Sequence, residues 1–551
     1  MIAGEQRKSS YWRFYLPGFT LPLDFKPRDG RQLFNYSTPT PAAVYDPQDS
    51  ASPLFPAVLD PEDIEKGHVA LTLTTLREPT MLRIMNEITD KPQWEIKVFD
   101  DTIVQRWQTE TTENHELDVS NQMFDYNIAE LPHKSQICSK TGAVTVYHGD
   151  VVKSDTTVPG YVQTASKQAI CELEDTQDRD FHPGSDDKVV DLVHPSMYPL
   201  VYDRSRILKH EFVNLEGCFL KSGQGEILPI PPDNGSINAS FSSSEVHKPY
   251  SYRFQWLTCN VKLSDGHGCK ITTAPEELRP ERKPDENEKW DRVSEWEDAN
   301  RITVQPEPPK AFLPRDRPQL DLRKECKKHG LQVIVRLANI ELTPEKPTYE
   351  GGSWHVEGQM NEHICTTALY YFDNHNITES RLAFRQESQY EERDIEYEQN
   401  FNAWLKDVFG CQQDGLLVQE VGDVLCKEGR LLTFPSVLQH RVGPFQLADL
   451  TRPGHRKILA LFLVDPNIRI TSTENIPPQK YDWLGEDSAR NNSSEPAKDY
   501  SPTVDFRNHL FQFAEAREWR EELMAERKAF VKEQNSALTA KYFSYVSTES
   551  K

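Results

Sequence analysis

The sequence predicts an α+β protein: an antiparallel β-sandwich or barrel of the jelly-roll kind, with a helix-rich region ahead of it and an amphipathic helix behind. Three observations carry this expectation. Short strand-like segments, rich in Val, Ile, Leu, Thr and aromatics and punctuated by Gly and Pro, follow one another through residues 331–466. Hardly any helical periodicity separates them, so neighbours join through turns and pair antiparallel rather than parallel. Upstream, Leu82, Met85 and Ile88, then Val98, Ile103, Val104 and Trp107, recur at helical spacing over 77–109, with Pro92 dividing the pattern.

In chain order, residues 1–76 are rich in Pro and aromatics without periodicity and read as an extended arm. Residues 77–220 form the helix-rich region, with a strand pair expected over 143–152 and a further helix over 164–173. Residues 221–330 read as a loop-rich linker holding one strand, 252–263, that sets Phe254 and Trp256 on one face. The core, 331–466, opens with Val333, Val335 and Leu337 alternating with Gln332, Ile334 and Arg336. Strands follow near 352–358, 366–372, 381–386, 416–420, 430–434, 438–443 and 457–464; about eight strands are what a jelly roll requires. An acidic insert, 387–398, is a solvated loop or a lid and leads into a helix over 401–409. Residues 467–551 are linker and then a helix, 506–532, whose stripe of Ala516, Trp519, Leu523, Met524, Phe530 and Val531 is read as packing back on the body.

Composition narrows the partners. At 551 residues the chain exceeds one ordinary domain, and 37% hydrophobic with 27% charged residues gives a core wrapped in polar loops. A formal net charge of −23 repels phosphate backbones and argues against a nucleic-acid partner. The 9 cysteines are scattered without Cys-x-x-Cys, which fits neither a zinc ribbon nor a disulfide framework and suits a reducing compartment. The longest apolar run, 458–464, is far short of a membrane span, and residues 1–15 lack an apolar signal region. The expectation is an intracellular, cytoplasmic protein with no membrane partner.

The chemistry concentrates in 351–358. If that stretch is extended, His355 and Glu357 project from one face, and His440 further along offers a third ligand. Two histidines and one carboxylate on one side of a metal, the other positions open, is the arrangement of non-haem Fe(II) oxygenases. A second His-x-acid pair, His148 and Asp150, has no apolar strands after it and reads as a strand-end turn. The run 182–199 carries His182, Asp186, Asp191 and His194 among prolines and turn residues. It reads as an ordered loop whose histidines bond to backbone rather than as a metal site.

Several stretches resemble a largely fungal family of unknown function: 331–344, 351–358, Asn361-Glu362-His363, Ala368-Leu369-Tyr370-Tyr371, 377–381, 434–440 and 453–466, with 85–94 and 182–199 upstream. Part of the chain is also similar to the Fe(II)/2-oxoglutarate dioxygenases of the prolyl hydroxylase type. That resemblance implies a double-stranded β-helix core, with His355, Glu357 and His440 as ligands of Fe(II). It implies Arg456 as the arginine that binds 2-oxoglutarate, Tyr371 against the same carboxylate, His363 near a position that lines the site, and hydroxylation of an unidentified substrate. Trp354, His363, Arg381 and Arg385 are the residues expected around that substrate. The chain departs from the pattern in having Glu rather than the commoner Asp. From the fungal family it departs after Cys269, where those relatives are expected to carry Asn-Asn-Leu-His-Pro and a helix and this chain runs straight to Thr273-Ala274-Pro275. Two alternatives stay open: a non-catalytic jelly-roll scaffold with a structural or vestigial metal site, and a cupin-like metal enzyme without oxoglutarate.

Overall fold

A computed structural model describes Leu59 and residues 70–539, except 115–116, 148–150, 177, 202–203, 209–220, 228–267, 272–300, 305–306, 315–330, 360–361, 390–403, 467–469, 471, 474 and 482–509. The strand expected at 252–263, most of the acidic insert, His148 with Asp150, and nearly all of the N-terminal arm lie outside the described residues.

The helical pattern resolves into pieces. Helix α1, Arg77–Ile88, buries Met81, Leu82, Ile84, Met85 and Ile88. The chain turns at Lys91–Pro92, where proline cannot continue a helix, into the single turn of α2, Trp94–Lys97. Helix α3, Asp101–Thr112, starts where the Asp100 carboxylate accepts the Thr102 and Ile103 amides at 2.9 and 3.2 Å, a cap worth about 1 kcal/mol. Helix α4, Asn121–Thr141, is capped by Ser120 and closes on Gly142 at φ 71°, a left-handed conformation that favours glycine; no helix is expected there from the sequence. Helix α5 spans Gly160–Thr176, α6 spans Trp404–Phe409 and α7 spans Phe513–Leu538. No helix among the described residues is long and apolar enough to cross a membrane.

The strands make two principal sheets. They are β1 (Leu71–Thr72), β2 (Val144–Tyr147), β3 (Val151–Ser154), β4 (Val189–Val193), β5 (Val333–Leu342) and β6 (Ile364–His375). After these come β7 (Arg381–Gln389), β8 (Val418–Leu425), β9 (Leu431–Pro435), β10 (Gln439–Val442) and β11 (Gly454–Val464). The larger sheet runs β2-β3-β9-β6-β11-β5-β4; the smaller runs β1-β7-β8, with β10 also on β7. Every pairing is antiparallel except β1 with β7. The class is therefore α+β, with helices beside antiparallel sheets.

One apolar cluster joins the inner faces of both sheets. Leu369, Tyr371, Leu432, Phe434, Ala460 and Phe462 meet Leu382, Phe384, Val421 and Val424, each large side chain contributing about 1.5–3 kcal/mol by leaving water. Helix α5 covers the outer face of the larger sheet, where Ile170 and Leu173 pack on Val190, Leu337, Tyr370 and Phe372.

Two expectations change, and the alternation on β5 gains its direction. The core is not confined to 331–466, because β2, β3 and β4 extend the larger sheet. On β5, Val333 and Val335 are 44% and 40% exposed, while Ile334 packs against the inter-sheet cluster; the inner face is the other half of the alternation. Residues 189–193, expected as loop, form an edge strand, and short strand pairs also occur at Arg206–Ile207 with Glu226–Ile227 and at Gly268–Ile271 with Arg301–Val304.

A buried ion network ties the end of α1 to the sheet. Arg430, fully buried, reaches Asp155 at 2.7 and 2.9 Å, Asp90 at 2.6 Å and the Leu425 carbonyl at 2.9 Å. Lys153 bonds Asp90 and the Asn86 side chain, each at 2.7 Å; burial, outweighing the pull of Asp90, draws its pKa down to about 7. Removing Arg430 leaves Asp90 and Asp155 short of a cation. We expect Arg430→Ala to cost about 3–5 kcal/mol in urea unfolding; a loss below about 1 kcal/mol would show that water replaces the guanidinium.

Candidate metal centre

Residues 351–358 do not form a strand. Gly351 and Gly358 have φ of 92° and 89°, and a Cβ on Gly351 would meet the Val442 carbonyl at 2.9 Å. A single antiparallel bridge holds the stretch: His355 N–H donates to the His440 carbonyl at 3.1 Å and His440 N–H donates to the His355 carbonyl at 2.9 Å. That bridge is enough to bring the rings together, centroids 4.4 Å apart and planes tilted by 49°. His440 itself sits on β10 opposite Phe384 of β7, facing the inter-sheet core with its ring 4.7 Å from Phe434.

Both imidazoles converge on one carboxylate. Glu357 Oε1 is 3.6 Å from His355 Nε2 and 3.5 Å from His440 Nε2, and the three ligand atoms lie within 4.8 Å of one another. A tetrahedral or octahedral ion with bonds of about 2.1 Å sets neighbouring ligands roughly 3.0–3.4 Å apart, so a small contraction would enclose a metal. His355 Nδ1 donates to the Ser353 carbonyl at 2.8 Å, which leaves the Nε2 lone pair toward Glu357, as a ligating histidine requires. Burial disfavours charge on His355, but the Glu357 carboxylate outweighs it and holds the pKa above the usual imidazole value. For His440, burial and then the neighbouring His355 win, and the pKa is lowered. Glu357, despite burial, is held well below the usual carboxylate range by the two histidines.

Arg456 enters the same interior from β11, whose alternate residues Arg456, Ala460 and Phe462 are buried. It is fully buried, lies 5.4 Å from the Tyr371 ring centroid and 5.3 Å from that of Phe445, and bonds Ser380 Oγ through Nη1. Its Nε and Nη2, and the Tyr371 hydroxyl, are buried without a hydrogen-bond partner. Burial raises the Tyr371 pKa well above its ordinary value, so the hydroxyl keeps its proton as a donor. Ser380 carries no sequence signal; only the fold brings it to Arg456.

The residues expected around a substrate divide. The guanidinium carbons of Arg385 and Arg441 lie 4.7 and 4.5 Å from the Trp354 ring centroid, and Arg385 is anchored to Gln439 at 2.6 Å. Arg441 is a residue the sequence did not single out. Arg381 is tied instead to Asp423 at 2.6 Å and Glu379 at 3.5 Å. His363, at φ 48°, has its pKa pulled down to about 4 by burial.

Helix α7 lies over this region rather than elsewhere on the body. Asn535 donates to the Trp354 carbonyl at 2.9 Å and accepts from Gln439 at 2.5 Å, bracketing the chain beside both His355 and His440. Arg527 grips Glu362 with two bonds of 2.6 Å.

A second group, His182, Asp191 and His194, also has ligand atoms within 4.8 Å. His182 bonds the Asp191 carboxylate at 2.7 Å, not backbone as expected, whereas His194 Nδ1 accepts the Ser196 amide at 3.1 Å. That bond places the His194 proton on Nε2, and Arg336 Nη2 already stands 3.2 Å from Asp191 and 3.3 Å from His182. A cation in contact with two of the three groups opposes a metal there.

Three comparisons set this chain beside known proteins. The family described as "Protein of unknown function (DUF4246)" matches residues 121–285 and 272–487, more than half of the chain. The chain belongs to the DUF4246 family. The N-terminal domain of DUF4246, likewise of unknown function, matches residues 16–110. No curated protein matches this DUF4246 member. Similar solved structures include that of IDO from Bacillus thuringiensis, at 12% identity over 24% of this chain and 44% of that one, TM-score 0.14. A bsmA homolog from Methylobium petroleophilum PM1 is 16% identical over 24% of this chain and 41% of that one, TM-score 0.14. The Fe(II)/(alpha)ketoglutarate-dependent dioxygenase TqaL is 16% identical over 30% of this chain and 52% of that one, TM-score 0.17. The match spans about half the length of these structures or less, and likeness this slight carries no argument about the reaction.

Proposed function

We propose that this DUF4246 protein is an Fe(II)- and 2-oxoglutarate-dependent oxygenase that hydroxylates a still unidentified substrate. The observation that carries the reading is the convergence of His355 Nε2 and His440 Nε2 on Glu357 Oε1 within an interior that also receives the partly unpartnered guanidinium of Arg456. The donor set fits Fe(II): two neutral imidazoles and one carboxylate leave open positions for other ligands. We read the two sheets as the halves of a double-stranded β-helix. In support, the chain passes from β6 in the larger sheet to β7 and β8 in the smaller, back to β9, across to β10 and back to β11.

When bound, Fe(II) with 2-oxoglutarate and O₂ supplies the oxidising power for replacing a C–H bond by C–OH. The protein's part is to bind, orient and exclude water. His355 is held in the ligating tautomer by Ser353, and Glu357 brings the negative charge that offsets the metal's. Arg456 offers Nε and Nη2, a planar fork suited to the far carboxylate of 2-oxoglutarate, with Ser380 fixing Nη1 and the Tyr371 hydroxyl available as a further donor. Trp354 lies within cation–π reach of Arg385 and Arg441, and α7 bonds the chain beside the triad through Asn535.

Adding 2-oxoglutarate anaerobically to the Fe(II)-loaded full-length protein tests the reading. The expected result is a visible charge-transfer band that saturates with 2-oxoglutarate and bleaches when air is admitted. Iron binding without such a band would favour a metal enzyme that uses no oxoglutarate. Absence of iron binding would leave a scaffold.

A further inference from the structure

The cluster around His182, Asp191 and His194 stays unused by this reading, yet it shares an inner face with Arg456. Arg336 of β5 is registered opposite Ala460 and Ile340 opposite Arg456; residues so opposed on antiparallel strands point the same way. Asp191 of β4 is registered opposite Ala338, on that same face. The His182 and His194 rings are 5.5 Å apart. From above, α7 contributes Arg520, fully buried and paired through Nη1 with Asp180, whose carbonyl accepts the Asp191 amide at 2.8 Å.

The cluster holds more unbonded donors than unbonded acceptors, Asp180 Oδ1 being one of the latter. Arg520 Nε and Nη2 and Arg336 Nε are buried with no hydrogen-bond partner, and buried polar groups left so are destabilising and uncommon. His194 adds an N–H at Nε2, since its Nδ1 is occupied by the Ser196 amide. Burial, against the pull of Asp191, holds this imidazole neutral, with its pKa down to about 3. Asp180 and Asp191 face Arg520 and Arg336, and the half-exposed Arg517 stands 3.7 Å from Asp180 as a third cation, so the cluster offers both hydrogen bonds to oxygens and a surplus of positive charge. Its direction from the triad can be followed along α7. Arg520 and Arg527 are seven residues apart, about 10 Å of helix. Arg527 holds Glu362, whose Oε2 lies 2.9 Å from where a Cβ on Gly358, next to Glu357, would stand.

We propose that Arg520, Arg336 and His194 form the subsite for an anionic, oxygen-rich group of the substrate, a carboxylate or a phosphate ester. Its place as part of a substrate site rests on the oxygenase reading; its ability to bind an anion does not. The substrate would then extend from the triad along α7 toward Arg520.

Calorimetric titration of the full-length, metal-free protein with inorganic phosphate, and separately with propionate, tests the subsite. Saturable binding of one anion is expected, and which one binds separates a phosphate ester from a carboxylate. Arg520→Lys keeps the charge beside Asp180 but loses the fork, and should weaken that binding about tenfold or more. Arg452→Ala, at the exposed turn before β11, should leave it unchanged. If Arg520→Lys lowers the melting temperature, Arg336→Lys, on a side chain 29% exposed, carries the same expectation. Failure of both anions to bind the wild type, equal binding by wild type and the lysine variants, or loss only in Arg452→Ala overturns the proposal. Because no metal enters the titration, these outcomes stand apart from any failure of iron or 2-oxoglutarate to bind.

Discussion

Replacing Glu357 by Gln, or His355 by Ala, is expected to abolish stoichiometric Fe(II) binding. Glu357 Oε1 lies between the two Nε2 atoms, so the neutral amide removes both a ligand and the charge that offsets the metal. Loss of a partner that merely orients a ligand already weakens metal binding about 10–100-fold, and loss of the ligand itself should exceed that. Metal analysis after anaerobic loading and desalting is the measurement. The variants should fold, because Glu357 and His355 are 22% and 32% exposed at the side chain and the bridge to His440 is made by backbone. His194→Ala is the informative comparison, since the second two-histidine, one-carboxylate group satisfies the same distance criterion. If iron is retained by Glu357→Gln and lost from His194→Ala, the ion belongs to the other cluster and Arg336 must move aside to admit it.

How far the sequence leads depends on which interactions make each element. Strands β6 and β11 are legible because long apolar runs alternate toward one shared core. Helix α4 is not, because its buried face mixes Phe124 and Leu131 with Asn127, Glu130, Lys134 and Ser135 and it carries Pro132 within it. The polar half of that face is stabilised by tertiary bonds, such as Asn127 to the Met81 carbonyl at 3.1 Å and Ser135 to the Glu95 carbonyl at 2.8 Å, which leave no periodic trace. The pairing of His355 with Glu357 was legible for a reason only partly right. A period of two puts both residues on one face of a strand, but the glycines make the stretch a looped edge whose single bridge does the same. On β5 the alternation was visible but its polarity was not. The outer face bears Val333 and Val335 in solvent, and the inner face holds Arg336, which hydropathy assigns outward. Ser380, Arg441 and Arg520 come to their places through pairing and packing between segments far apart in the chain, beyond the reach of any local pattern.

Replacing Arg456 by Ala is expected to cost the protein its affinity for 2-oxoglutarate while leaving iron binding intact. The guanidinium is fully buried, with Nη1 on Ser380 and Nε and Nη2 without protein partners. Truncating a buried, charge-assisted pair costs about 2–5 kcal/mol, which is roughly thirtyfold or more in the dissociation constant. The anaerobic titration followed at the visible band reads this directly, and metal content reads the rest. Arg456→Lys separates charge from shape: a lysine keeps the cation but presents no fork, so it should recover only part of the affinity. It also guards against misfolding of the alanine variant, because its methylenes still fill the space between Tyr371 and Phe445. Arg452, exposed at the turn before β11, is the control and should be nearly silent as Arg452→Ala. Full affinity in Arg456→Ala together with loss in Arg452→Ala would put the clamp on the wrong arginine. Equal affinity in wild type and both variants would mean that the dicarboxylate is held elsewhere, and that the buried fork beside Ser380 serves the core rather than a cosubstrate.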